Sequence, residues 1–363
     1  MQDNFRDLVE LQRCGVRTCK DGMSRQGGAG PTDDRALVFS NGVTLMVPTL
    51  SESAGNSEYV LEGVDDHPVL KRNGKVVDKV RMVRNPKFYR YKTDEGISYK
   101  KIARLHGSEC LASTVVQECI RYNDVSTRCR FCAIGVSLER GATIHTKRPE
   151  QLAEVALAAR KLDGVTHVTL TTGTTDLMNK GAEHLARCAY SIKREAGLPV
   201  QAQCEPPDDA NIFSHMKNMG VDDLGIHIES FDPEVRRKYT PGKASISIDA
   251  YFDSFEKAVI VFGKNKVSTF VILGLGEDEG LTLSRCREII RMGVYPYLVP
   301  LRPVLNTFLV RAEPPDGEYL SRMYKTVGAM LRENGMSAEN SSAGCVKCKA
   351  CSVLQLTETR KHA

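Results

Sequence analysis

From about residue 106 to residue 300 the apolar positions follow two alternating rhythms. Short, mostly apolar runs at 115–122, 167–171, 200–204, 224–228, 267–273 and 295–300 predict buried strands. Between them, apolar residues recur three and four positions apart. Leu152, Val155, Ala156 and Ala159 mark a helix over 149–162, opened by Pro149 near its start. Similar stripes predict helices near 181–196, 210–219, 250–262 and 283–292. Strand and helix in alternation mean parallel strands with right-handed crossovers. The expected fold is α/β, a partial (β/α)6 TIM-like barrel whose chemistry sits at the C-terminal ends of its strands. A doubly wound open sheet is the rival, and no G-x-G-x-x-G follows an early strand to support it.

Upstream the rhythm shortens. Ala36 to Phe39 and Val43 to Val47 flank Asn41-Gly42, and Val69-Leu70 and Val76 to Val83 flank Asn73-Gly74, two hairpin signatures. Arg84, Lys87, Phe88, Tyr89, Arg90, Tyr91 and Lys92 interleave bases with aromatics. That mixture suits single-stranded nucleic acid, or more simply an amphipathic edge strand. Residues 1–24 read as a mobile leader with a short helical pattern and a Cys14…Cys19 pair, followed by a Gly27–Pro31 turn. The expected organisation is a leader and small β-rich domain over 1–105, the barrel over 106–310, and a helix near 318–331 with a cysteine-rich tail over 311–363.

Composition narrows the class. The 363 residues are 41% hydrophobic and 26% charged, with a net charge of +5. That balance suits a soluble globular chain and is too mild to call for nucleic acid. No apolar run is long enough for a membrane span and no basic-then-apolar signal opens the chain, so a cytoplasmic protein without a membrane partner is expected. In that reducing compartment twelve cysteines argue for metal or redox use over disulfides.

Two cysteine groups stand out. Cys119 is followed by Cys129 and then Cys132, and Cys345, Cys348 and Cys351 follow Gly344 in a C-x2-C-x2-C run. Thiolates in such sets hold iron–sulfur clusters or zinc. The tail run stops short of a ferredoxin pattern, because the next cysteine position is Gln355. Its fourth ligand is left open among Cys14, Cys19, Cys110 and substrate. Cys188 and Cys286 fall at apolar helix positions and read as core.

The Cys119…Cys129-Arg-Phe131-Cys132 loop resembles the cluster loop of radical S-adenosylmethionine (SAM) enzymes, although its first gap is six residues longer than the common spacing. The stretches Cys119–Tyr122, Arg130–Ile134, Gln203–Pro207, Pro241–Lys243, Gly293–Pro296 and Ala343–Cys351 are similar to a radical SAM family associated with nitrilase gene clusters, and more distantly to biotin and lipoyl synthases. The resemblance implies a [4Fe–4S] cluster on Cys119, Cys129 and Cys132 that binds SAM through its open iron. It also implies a second [4Fe–4S] cluster on Cys345, Cys348 and Cys351, a small-molecule substrate, and a one-electron donor such as flavodoxin or ferredoxin. Phe131 would pack near the adenine. Thr172-Gly173 stands where the amino group of SAM is bound, with Glu205 as a second candidate. Glu229 would hold the ribose, Arg236 or the adjacent Arg237 the carboxylate, and Gly274 with Gly276 the adenine-side turn. Hydrogen abstraction from a small molecule is the expected reaction. Sulfur insertion and RNA modification are the alternatives.

Overall fold

The structure is a computed structural model and describes residues 2–18, 34–63 and 67–359. The Cys19 and Gly27–Pro31 expectations lie outside these residues. The alternating runs form a seven-stranded sheet: β1 (Arg104–His106), β2 (Cys110–Thr114), β3 (His167–Thr171), β4 (Val200–Cys204), β5 (Asp223–Ile226), β6 (Val267–Leu273) and β7 (Val294–Pro300). Spatial order follows chain order from β1 to β7. Strands β2 to β7 are parallel neighbours, and β1 lies antiparallel on β2. Each crossover therefore steps the same way, which curls the sheet into a half-barrel. A doubly wound sheet would reverse direction at a switch point.

The crossovers carry α1 (Pro149–Asp163), α2 (Ala182–Ala196), α3 (Asn211–Asn218), α4 (Ile248–Phe262) and α5 (Glu279–Met292); α6 (Gly317–Glu333) follows β7. Their apolar stripes cover the outer face of the sheet, and the strands are buried on both faces, as parallel sheets require. The first parallel strand is displaced from the expected 115–122 to Cys110–Thr114. Val115 still bonds Thr171 O, but Gln117 N already turns to His145 O, so the chain leaves the ladder before Cys119.

Both Asn-Gly hairpins form, pairing Asp34–Val38 with Thr44–Pro48 and Val69–Arg72 with Lys75–Lys79. Two N-terminal expectations are corrected. Residues Gln2–Cys14 are a docked helix whose Phe5, Leu8, Val9 and Leu11 are buried, because its apolar stripe finds α6 and the 44–48 strand to cover it. The basic-aromatic stretch is a 3-10 turn (Lys87–Arg90) with Phe88 buried and Tyr89 beneath Arg104, so these rings pack inward instead of forming a stacking row. The Asp163 carboxylate accepts the Lys87 and Phe88 amides at 2.7 and 3.0 Å and fixes that turn on α1.

The open side of the half-barrel, between β1 and β7, is covered by the tail. Ser352 Oγ donates to Leu298 O of β7 at 2.6 Å, while His106 Nε2 of β1 lies 3.0 Å from Cys351 Sγ. Met46 N of the first hairpin donates to Ala350 O at 2.7 Å. A buried Arg302–Asp34 ion pair ties the same hairpin to the end of β7. One continuous apolar core runs from Phe5 to Leu354.

Candidate metal and cofactor site

The long gap between Cys119 and Cys129 is a side turn that returns the chain to its start. Cys119 precedes a one-turn helix (Ile120–Asn123), Asp124 accepts the Ser126 amide at 2.8 Å, and Thr127 Oγ1 donates back to Arg121 O at 2.9 Å. Arg128 lies 3.9 Å above the Tyr122 ring. Cys132 N then donates to Cys129 O at 3.1 Å, closing the second turn.

The loop is fastened to the C-terminal end of β3. Gly173 N donates to Val116 O at 3.0 Å and Ile120 N to Thr174 O at 2.9 Å. A methyl group on Gly173 would sit 1.9 Å from Glu118 O and 3.0 Å from Cys119 Cβ. Thr172 donates its hydroxyl to Gly173 O at 2.9 Å. Gly173 and Thr174 thus form the seat of the cysteine loop, and Thr172 bonds within the turn itself.

Cys132 has Cys119 and Cys129 as electrostatic neighbours, and Lys243 and Glu229 stand near both Cys129 and Cys132. Burial pushes Cys132 up to about 11, with Cys119 adding to the rise. Burial also raises Cys129, against the pull of Lys243. Around them stand two carboxylates that the sequence singled out, each with a cation. Arg121 grips Glu205 through Nε and Nη2 at 2.8–3.0 Å, and Lys243 Nζ holds Glu229 at 2.9 Å. Glu229 takes a left-handed φ of 70° while its backbone bridges to Phe270 and Ile272 of β6. Such a conformation in a non-glycine residue is held by its surroundings and turns the side chain out of the sheet pleat.

Arg236 is placed behind this pair. Its Nη2 donates to the carbonyls of Lys243 and Ile246 at 2.9 and 2.6 Å, and the guanidinium lies 5.1 Å from the Tyr251 ring. The sequence reading did not single out Lys243. Its only signal was the Pro241-Gly242-Lys243 turn following a strand. His227 was also passed over as a site residue. Its Nδ1 accepts the Phe270 amide at 3.2 Å and its ring stacks on Phe270 at 4.2 Å. Burial and Lys243 hold it down to about 3, so the imidazole stays neutral. Nε2 then carries the proton, and it has no hydrogen-bond partner among the described residues.

An apolar patch completes the site. Val235, Ile272, Leu275 and Leu301 form a small second core, with Phe131 packed against it. Leu275 is presented by Gly274 and Gly276, both left-handed, at φ 101° and 91°. The Gly274 and Leu275 amides donate to the Glu277 carboxylate at 2.8 Å, and a side chain on Gly274 would strike Pro315. The donor set suits an iron–sulfur cluster: three thiols of one loop, with a lysine near Cys129 and Cys132 to favour thiolates, and an apolar wall next to paired charges.

The tail cysteines sit at the opposite end of the half-barrel, among residues that begin β2 and β3 and residues of β4. Cys345 Sγ accepts from Gln203 Nε2 at 3.2 Å, and Cys345 N donates to Gln201 Oε1 at 3.1 Å. Among the described residues no helix is long and apolar enough to cross a membrane.

The family model described as the radical SAM superfamily matches residues 126–282. The match includes Cys129 and Cys132 and begins after Cys119. The chain is 28% identical over 125 residues to bacteriochlorophyllide c C-7(1)-hydroxylase of Chlorobaculum limnaeum, covering 34% of this chain and 31% of that protein. It is 24% identical over 225 residues to the mitochondrial lipoyl synthase of Leishmania infantum, covering 59% and 52%. It therefore spans about half or less of the length of these curated relatives. Among solved structures, methylornithine synthase aligns at 17% identity with a TM-score of 0.46, over 62% of each chain. A radical SAM methyltransferase from Sphaerobacter thermophilus aligns at 13% identity with a TM-score of 0.47, over 79% of this chain and 77% of its own.

Proposed function

We propose, from the match of residues 126–282 to the radical SAM superfamily model, that the chain is an enzyme that abstracts hydrogen from a small molecule held inside the half-barrel. When bound, the [4Fe–4S] cluster and SAM supply a 5′-deoxyadenosyl radical by reductive cleavage of the sulfonium. The observation that supports the reading is the gathering of Cys119, Cys129 and Cys132 in one loop region, with Lys243 near Cys129 and Cys132, at the strand ends where such folds do their chemistry.

Each surrounding residue has a role in this reading. Phe131 and the Gly274-Leu275-Gly276 turn offer an apolar face to the adenine. The backbone of Thr172-Gly173 and the Glu205 carboxylate face the amino group, and Glu229 faces the ribose. Arg236 and Lys243 are both candidates for the carboxylate of SAM: Arg236 already serves two backbone carbonyls and Lys243 serves Glu229 and His227 O, so either must exchange a partner to take it. His227 donates its Nε2 proton to an acceptor on substrate or SAM and does not act as a base. The tail cysteines hold a second iron–sulfur cluster. A cytoplasmic flavodoxin or ferredoxin supplies single electrons, and the nitrilase-associated family is the finer assignment. The likeness to lipoyl synthases favours sulfur insertion as the second reading.

Anaerobic iron and sulfide analysis, with EPR of the dithionite-reduced protein with and without SAM, tests the proposal. We expect a signal that shifts on adding SAM, formation of 5′-deoxyadenosine, and loss of both in Cys129→Ala. A fully loaded protein whose spectrum ignores SAM overturns it. Sulfide lost from the protein in step with turnover would favour sulfur insertion.

A further inference from the structure

The tail supplies three cysteines, and the strands of the half-barrel supply the groups that face them. His106, Cys110 and His167 lie side by side on β1, β2 and β3, since Cys110 is the register partner of both histidines. This row meets the tail. Cys348 Sγ, Cys110 Sγ and a ring nitrogen of His167 all lie within 4.8 Å of one another. At one end of the row His106 Nε2 lies 3.0 Å from Cys351 Sγ. Cys345 is held by Gln203, on β4.

Three features show that this is built and not a chance meeting of core thiols. Gly344 has φ 81°, and a side chain there would run into Gln201 at 2.0 Å, so the first cysteine can reach the sheet only behind a glycine. Lys349 is left-handed at φ 62° and turns the chain so that Cys351 comes back to the same place. Asp223, the first residue of β5, accepts the Ser342 and Ala343 amides at 3.1–3.2 Å and fixes the approach of the tail.

Two buried polar atoms point independently to a missing occupant. His167 is 1% exposed, and its Nε2 has no hydrogen-bond partner among the described residues. The hydroxyl of Tyr297, 1% exposed and set near all three tail thiols, has none either. Leaving such a group unsatisfied is costly, and thiolate and sulfide ions would relieve it. Cys188 and Cys286, buried in helices α2 and α5, show the contrasting arrangement of thiols that serve only as core.

We propose that Cys110 is the fourth thiolate of the tail site, so that Cys110, Cys345, Cys348 and Cys351 enclose an iron–sulfur cluster at the N-terminal end of the half-barrel, flanked by His106 and His167. The assignment rests on reading the tail as an iron–sulfur site and adds its missing ligand. It has a consequence for role. Four protein thiolates leave no iron open, so this centre does not chelate substrate as the Cys119 site chelates SAM. Strand β2 carries Cys110 at its start and leads to the Cys119 loop from its end, about 13 Å further along at 3.3 Å per residue. The two centres thus face the same interior from opposite ends.

The test uses the full chain with Cys119, Cys129 and Cys132 all changed to Ala, reconstituted anaerobically with ferrous iron and sulfide. We expect about four irons per chain, as a cubane requires, and an EPR signal indifferent to SAM. Adding Cys110→Ser should lower iron at least twofold or change the signal, while Cys188→Ser should do neither. A Cys110→Ser protein with undiminished iron and an unaltered spectrum overturns the ligand assignment and leaves the second cluster standing. A parent that takes up no iron, or only zinc, overturns the cluster reading and the assignment with it. Mössbauer spectra of the parent need no Cys110 substitution: four-thiolate iron throughout supports the proposal, and one distinct non-thiolate iron overturns it.

Discussion

Gly173 and the Arg121–Glu205 pair set the terms on which the cysteine loop closes. A side chain at Gly173 cannot coexist with Glu118 O at 1.9 Å. Gly173→Ala should therefore displace Cys119, costing about 1–3 kcal/mol in urea unfolding and lowering reconstituted iron at the first site at least twofold. The side chains of Arg121 and Glu205 are 10% and 5% exposed. Removing one partner leaves the other charged and buried, so Glu205→Gln should cost about 3–5 kcal/mol, and Arg121→Met with Glu205→Gln should cost less than the sum of the two single changes. Additive costs in that cycle would show that the pair is not coupled. Both partners stand in the sequence beside recognisable features, Arg121 two residues after a cluster cysteine and Glu205 at a strand end. That they neutralise each other could not be read there, because nothing local places residue 121 against residue 205.

Among the elements, the half-barrel strands and helices were legible because each is long, periodic and buried on a known face. β3, β4 and β6 start and stop where the apolar runs do. The Gln2–Cys14 helix and the 87–90 turn were misread because their apolar side chains are few, and only the neighbours that cover them, α6 and α1, decide whether they dock. The tail depends on such long-range anchoring, and Asp223 offers a pH test of it. Burial pushes this carboxyl up to about 7, above an unfolded value of about 3.9. The folded state then binds the proton more tightly, so this contribution to stability is greatest at low pH and declines as pH rises from about 4 to about 7. Relative to wild type, Asp223→Asn should gain stability between pH 5 and pH 8, read as urea midpoints. A difference that stays constant across that range would contradict the assignment.

At the scale of the full fold, metal and protein are linked through protons. Burial raises Cys129, Cys132 and Cys345. The metal-free protein therefore holds these thiols protonated, and loading must expel the protons. Iron uptake by the metal-free protein should strengthen from pH 6.5 to pH 8.5, with protons released in step, as an indicator dye would report. Uptake independent of pH would mean that the thiols are already ionised.

The local pattern alone settled the class of the fold and marked out its two cysteine groups as candidate metal sites, since period, spacing and side-chain type are properties of short stretches. It could not settle which distant groups meet. The closure of the Cys119 loop on Gly173, the pairing of Lys243 with Glu229, and the alignment of Cys110 with His106 and His167 against the tail follow from strand order and register. Those are set when five crossovers pack onto one sheet, because burial rewards the whole arrangement and no short segment of the chain carries it.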